Sequence, residues 1–349
     1  MYTLLTGATG LLGRYVMRDL LLRGRNVVVL VRPNRRSTAI ERVDAILNYW
    51  ERAWGWTLPR PVVLTGDIVQ EGLGLSQSDR NWVAMNCRSM IHSAASLTFY
   101  EEDGEPWRSN VQGTQHVLDV CQQLNIRRLY HVSTAYTCGQ RTDTIFENEP
   151  DIGQGYGNDY ERSKVQAEQL VRQATWLDVA AFFRPSIIVG DSLTGFSSTF
   201  HGFYTPLRLI CALQTQLSHE EVFAPDYLSL MGLTGSEGKN LVPVEWVSRA
   251  MVSIIGRCPE ASQAYALTSH SPISSAQIWN VIREATQADA TNRSSSNASS
   301  KIVTRKPSED LILAAYTEQL RTYRSYWRND PVFDNSHTAA ALPDLPCPV

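Results

Sequence analysis

The stretch "TLLTGATGLLGRYV", residues 3–16, decides the fold. A short apolar run ends in glycines at 7, 10 and 13 and passes directly into an amphipathic segment. Glycines between a strand and a helix allow a tight turn, close approach of a pyrophosphate to the backbone, and close helix–strand packing. The helix start adds free N–H groups and the positive end of its dipole. Gly7, Thr9, Gly10, Leu11, Leu12 and Gly13 are therefore read as a dinucleotide-binding turn, in G-x-x-G-x-x-G rather than G-x-G-x-x-G spacing. The alternative is an ordinary strand–helix turn.

Outward from this turn, apolar runs alternate with helical patterns: "NVVVLVR", "PVVLTGD", "SMIHSAA" and "RLYHVSTA". That alternation predicts an α/β fold with a doubly wound, Rossmann-like parallel sheet and a smaller C-terminal substrate-binding portion. The expected dinucleotide-binding domain is 1–190, with strand and helix returning around 239–270. The expected substrate portion is 191–238 and 271–349. Phe196, Phe200, His201, Phe203 and Tyr204 crowd 191–215, either walling an apolar pocket or packing a core. The polar run 287–301 reads as a mobile loop, and 308–327 as a helix.

The totals bound the function. The chain has 349 residues, 43% hydrophobic and 19% charged, with a formal charge of −3. Such a balance suits a globular protein with a sizeable core and offers no basic field for nucleic acid. Six scattered cysteines without C-x-x-C spacing read as reduced thiols, and no metal-ligand pattern is present. No leader or membrane-length apolar run is found, so a cytoplasmic monomer or homodimer is expected. The sequons at Asn292 and Asn297 are read as chance.

The second strand bears on the choice of dinucleotide. It ends in Arg32, where an NAD site would carry an acid for the ribose hydroxyl, and a cation suits a 2′-phosphate. NADP(H) is therefore expected, with Arg36 or its neighbour Arg35 as a second contact, or either as a solvated loop charge, and Asp67, followed by Ile68, near the adenine. Ser133 and Thr134 close a later strand, and "NDYERSKVQAEQL" at 158–170 places Tyr160 and Lys164 four apart on one helix face. A hydroxyl to polarise a carbonyl, a phenol to protonate it and an ammonium to tune the phenol make a carbonyl reductase site. Asn110 is a candidate anchor for a proton-relay water. His92 and His201 are read as structural.

Together "TGATGLLG", "STA", "YERSK" and "FRPSIIVG" resemble the extended short-chain dehydrogenase/reductases over nearly the whole chain. The resemblance implies Thr134 as the polarising hydroxyl, with adjacent Ser133 as rival, Tyr160 as acid/base, Lys164 as its tuner and Asn110 as a fourth member. It also implies a cofactor lined by Ser93, Ala94 and Ala95, with Pro185, Ser186, Ile187 and Ile188 beside the nicotinamide. "LTGDIVQEGLGLSQSDRNW", "IHSAASLTF" and the "LVR" closing the second strand are similar to the thioester-reductase branch. That branch includes fatty acyl-CoA reductases and the terminal reductase domains of carboxylate reductases and peptide synthetases. It implies NADPH-dependent reduction of a small-molecule or carrier-bound acyl thioester to an aldehyde or alcohol. The 349 residues show no adenylation or carrier segment, nor the extra C-terminal domain of eukaryotic fatty acyl reductases, leaving the acyl group open. The rivals are a ketone- or nucleotide-sugar-directed enzyme on the same Thr-Tyr-Lys core, and a non-catalytic dinucleotide sensor.

Overall fold

A computed structural model of the chain describes residues 1–149, 151–200, 202–214, 218–223, 226–259, 261–296 and 327–348. Among these, β1 (Tyr2–Thr6), β2 (Val27–Val31), β3 (Val62–Thr65), β4 (Cys87–His92), β5 (Arg128–Val132), β6 (Val179–Pro185) and β10 (Gln263–Leu267) form one sheet. Its order is β10-β6-β5-β4-β1-β2-β3, and every pairing is parallel. The order reverses between β1 and β4, the place where open α/β sheets bind ligands.

Strand β2 is apolar without interruption because both its faces are covered. All five residues of β2 are buried. Val27, Val29 and Val31 join a core with Tyr15, Leu20, Leu47 and Trp50 from α1 (Leu11–Leu22) and α2 (Ala39–Trp54), and with Trp246 and Met251 from α9 (Val244–Gly256). Val28 and Leu30 face the other way, onto Val83 of α3 (Gln77–Asn86), Val117 of α4 (Gly113–Gln123) and Val171 of α5 (Asp159–Gln173). The period-two alternation of a strand thus divides one run between two cores. Asp19, buried on α1, accepts from Arg18 Nε at 2.7 Å and from Ser248 Oγ at 2.6 Å, fastening α1 to α9.

The chain divides into two compact units, 1–199 with 241–270 and 331–349, and 200–240 with 271–330. Residues 191–199 and 331–349, expected with the substrate portion, thus fall in the first unit. The physical reason for the tail is the buried Glu147 carboxylate. It accepts hydrogen bonds from the backbone of Ala266, His337 and Thr338 and from the Thr338 hydroxyl. Ile145 and Phe333 add an isolated parallel β-bridge outside the strands. Within the same unit β7 (Ile187–Val189) pairs with β9 (Leu241–Pro243).

The second unit holds α6 (Thr205–Leu213), α7 (His219–Phe223), α8 (Tyr227–Leu230), α10 (Ser275–Ser296) and the pair β8 (Gly238–Lys239) with β11 (Ile273–Ser274). Its core is Ile210, Val222, Phe223, Tyr227, Met231 and Trp279. Helix α10 corrects the expected loop over 287–296, because it runs on through Ser296, and the remainder of that stretch, 297–301, lies outside the described residues. Ser274 and Gln277 cap its start reciprocally, at 3.2 and 3.0 Å. Buried Ile278 and Trp279 anchor the first turns, and the alanine-containing sequence beyond them extends an existing helix without the cost of nucleation. The helix expected at 308–327 lies, up to residue 326, outside the described residues, as does His201.

Candidate active site

The C-terminal edge of the sheet gathers most of the residues expected there. Gly7 has φ +76°, and a Cβ on it would sit 2.6 Å from the Ala94 nitrogen. A Cβ on Gly13 would lie 2.0 Å from the Gly7 carbonyl oxygen. Only glycine lets α1 approach β1 and the Ser93–Ala94 backbone this closely. The N-cap Gly10 has no side chain to cap the helix, and its first turn holds no acid. The opening N–H groups of a twelve-residue helix are therefore left to a ligand. This cradle fits a pyrophosphate. Ala95 is exposed beside it, whereas Thr9 and Leu11 are half-buried and Leu12 is buried.

Arg32 and Asp67, expected at opposite ends of an adenosine, form an exposed ion pair at 3.3 Å. Asp67 also accepts from Val69 N at 3.2 Å, and the Ile68 carbonyl accepts from His116 at 2.9 Å. Arg36 is exposed, with its backbone held in the Asn34 turn and no guanidinium partner among the described residues. The cation drawn to the glycine turn is Arg42, which the motifs did not bring out. It donates to Thr9 Oγ1 at 2.9 Å and to the Arg32 carbonyl. Burial and the neighbouring Arg32 charge push its guanidinium below the usual range. Its signal in the sequence is a basic residue in the first turn of α2, just after the Thr38–Glu41 capping box, where the dipole disfavours a cation.

The candidate reacting groups come from the end of β5 and from α5. Asn158 caps α5 by accepting from Glu161 N at 2.9 Å, and Glu161 reaches back to Gly157 N at 2.8 Å. This sets Tyr160 and Lys164 on the buried face, 9% and 3% exposed. Lys164 Nζ donates to the Val132 carbonyl at 2.7 Å. Adjacent residues at a strand end point to opposite sides, which separates the two candidate hydroxyls. Thr134 Oγ1 neighbours the Tyr160 phenol and reaches the Pro185 carbonyl at 3.5 Å. Ser133 Oγ, buried without a well-formed hydrogen bond, faces the Glu168 carboxylate instead.

Burial dominates the electrostatics. It pushes the Tyr160 phenol up to about 12, with the Thr134 hydroxyl pulling in the opposite direction. The Glu161 charge adds to the rise, and the expected lowering by Lys164 does not enter this balance. Lys164 is pulled down to about 8 by burial, with the Glu168 charge opposing.

Asn110 sits in a π-helical turn, Arg108–Gln112, and its amide is engaged. It accepts from Ser96 N at 2.8 Å and donates to Ser96 O at 3.1 Å and Ser163 Oγ at 2.9 Å. That arrangement ties the loop after β4 to α5. His92 is a buried strand residue bonded to Thr6 and Thr114 at 2.8 and 3.2 Å. Pro185, Ser186 and Ile187 are buried and Ile188 is half-buried, with Ser186 Oγ unpartnered. Phe196 packs on Tyr49 and Trp50, with ring centroids 4.7 and 6.4 Å away, and beneath Arg14. It is thus a packing residue of the first unit, while Phe203 stacks on Trp327 in the second.

The family model described as "Male sterility protein" matches residues 5–251, which include the glycine turn, Thr134, Tyr160 and Lys164. The chain belongs to this family. It is the thioester-reductase branch of the extended short-chain dehydrogenase/reductases. Among curated relatives, the nonribosomal peptide synthetase asaC of Aspergillus flavus is 26% identical over 297 residues. The fatty acyl-CoA reductase wat of Drosophila melanogaster is 26% identical over 234 residues. These matches take in 80% and 57% of this chain, but only 27% and 45% of the respective relatives. The solved terminal R domain of the myxalamid PKS-NRPS pathway has a TM-score of 0.74 and 26% identity, covering 100% of this chain and 86% of its own. The Male sterility protein family binds nicotinamide dinucleotides, and the glycine cradle here fits one.

Gly13→Ala tests the cradle. The added methyl is expected to cost about 1–3 kcal/mol of stability and to weaken dinucleotide binding at least about tenfold, read by chemical denaturation and fluorescence titration. Unchanged values in both would show that α1 stands off the turn.

Proposed function

We propose that this protein is an NADPH-dependent thioester reductase acting on an acyl group carried by coenzyme A or a protein-bound pantetheine. The observation that carries the reading is the buried Thr134–Tyr160–Lys164 arrangement at the same sheet edge as the glycine cradle. The names of the relatives, a fatty acyl-CoA reductase and a nonribosomal peptide synthetase, support an acyl thioester as the substrate class.

Bound NADPH would supply the hydride. Thr134 and Tyr160 donate hydrogen bonds to the thioester oxygen, stabilising the charge that develops there. The Tyr160 phenol, raised to about 12, stays protonated at neutral pH and gives its proton to that oxygen. The thiohemiacetal then breaks its C–S bond, releasing thiol and aldehyde. The Lys164 ammonium holds the nicotinamide ribose and stabilises the phenolate until a proton returns. Arg32 and Arg42 read the 2′-phosphate, with Asp67 orienting Arg32.

Absence of a membrane-length apolar helix among the described residues accords with a freely diffusing protein, which we take to be cytoplasmic. Oxidoreductases of the same fold that act on ketones would not release thiol, and this gives the test. With NADPH and an acyl-CoA, one thiol is expected per aldehyde formed, read with a thiol reagent and by mass spectrometry of the product. NADPH consumption with aldehydes or ketones alone would leave an ordinary carbonyl reductase.

Arg32→Glu is expected to weaken NADPH at least about tenfold and NADH far less, since a charge-assisted contact to phosphate is lost. Equal effects on both cofactors would assign the phosphate to other residues.

A further inference from the structure

One turn beyond Lys164 on α5 lies a charged cluster that the reaction does not touch. Glu168 is 3% exposed. Arg184 at the end of β6, itself 5% exposed, grips both its oxygens, with Nη2 at 2.5 Å and Nε at 3.1 Å. Arg172, a further turn along α5, adds two bonds at 2.8 and 3.0 Å. Arg184 is fixed in turn by the carbonyls of Glu147 and Glu149 at 3.0 and 3.1 Å. A buried ion pair of this kind contributes little net stability compared with apolar residues of the same size.

We propose that Glu168, clamped by Arg184 and Arg172, is a positioning residue that keeps the buried Lys164 side chain an ammonium ion. This rests on the reading of Lys164 as the cation of the reduction site.

The surroundings of Lys164 favour that role. From β4 and β5 it faces His92 and His131, both held neutral, by burial first and then by the Lys164 charge itself. The Val132 carbonyl supplies a hydrogen bond but no formal charge. From its own helix come Tyr160, protonated at neutral pH, and Glu168. The Glu168 carboxylate is the charge that offsets the desolvation of Lys164. Burial would by itself favour a neutral Glu168, but the two arginines outweigh it and hold the group down at about 2. The arginines thus keep the acid ionised, and the acid keeps the lysine ionised. The sign follows directly: raising the pH through about 8 neutralises Lys164, and removing the Glu168 charge moves that loss to lower pH.

Competitive labelling with trace acetic anhydride across pH, with the Lys164 peptide quantified by mass spectrometry, reads this in the free protein without substrate. The wild-type midpoint is expected near 8. Glu168→Gln keeps an acceptor for the arginines and is expected to lower the midpoint by about one unit or more. Arg184→Met is expected to hold it near the wild-type value, because Arg172 keeps Glu168 ionised. The alkaline limb of kcat/KM for reduction moves the same way in each variant. If Glu168→Gln alone does not fold, the double variant Glu168→Gln with Arg184→Met, which leaves Arg184 no buried charge, carries the test with the same downward expectation. An unmoved midpoint in the folded Glu168→Gln or double variant overturns the proposal, as does an equal fall in Arg184→Met. Labelling as expected without thioester turnover would count against the substrate assignment and leave the role of Glu168 standing.

Discussion

The close approach of α1 to β1 is the constraint from which the site follows. With no side chain at Gly7 or Gly13, the first helix starts against the backbone of its own strand and of the loop after β4. Its open N–H groups therefore lie where the strand order reverses, between β1 and β4. Once that point is set, β5 and α5 can supply reacting groups only from the adjoining strand end, and Val132, Thr134, Tyr160 and Lys164 occupy it. A methyl group at either glycine would separate the two halves of this arrangement.

Desolvation is the second theme, and it acts on the two ionisable groups in useful directions. A phenol raised to about 12 is a poor base but a well-poised donor to an oxygen that becomes anionic. The same burial threatens the ammonium beside it, since an unassisted lysine in such a site loses its proton. The cluster of Glu168, one turn along α5, with Arg184 and Arg172 restores the balance. The phenol and the ammonium, both buried, thus keep their protons by different means.

Much of this was legible in the sequence because the period of the apolar residues and the turn chemistry are local. The strands β1 to β5, the capping of α5 by Asn158 and the pairing of Tyr160 with Lys164 all rest on residues a few positions apart. What escaped depends on contacts between distant segments. Arg42 reads as a surface charge until α2 brings it over Thr9, and Glu168 as one more polar helix residue until β6 delivers Arg184. The return of 331–349 to the first unit depends on Glu147, nearly two hundred residues earlier in the chain. That Thr134 lies by the Tyr160 phenol and Ser133 by Glu168 depends on the direction of the strand end, which composition does not hold. The polar run at 287–296 departs from expectation for a different reason: low complexity resembles a loop, but a helix already nucleated at Ser275 continues to Ser296.

The central claim is that Tyr160 donates the proton on which reduction depends while contributing little to cofactor affinity. Single-turnover reduction by Tyr160→Phe, with NADPH affinity measured in the same preparation, tests it most directly. The account predicts a loss of hydride transfer of at least about a hundredfold, with the affinity for NADPH unchanged within about twofold. Turnover at the wild-type rate in a folded, NADPH-binding Tyr160→Phe protein would contradict it and transfer the proton to another donor.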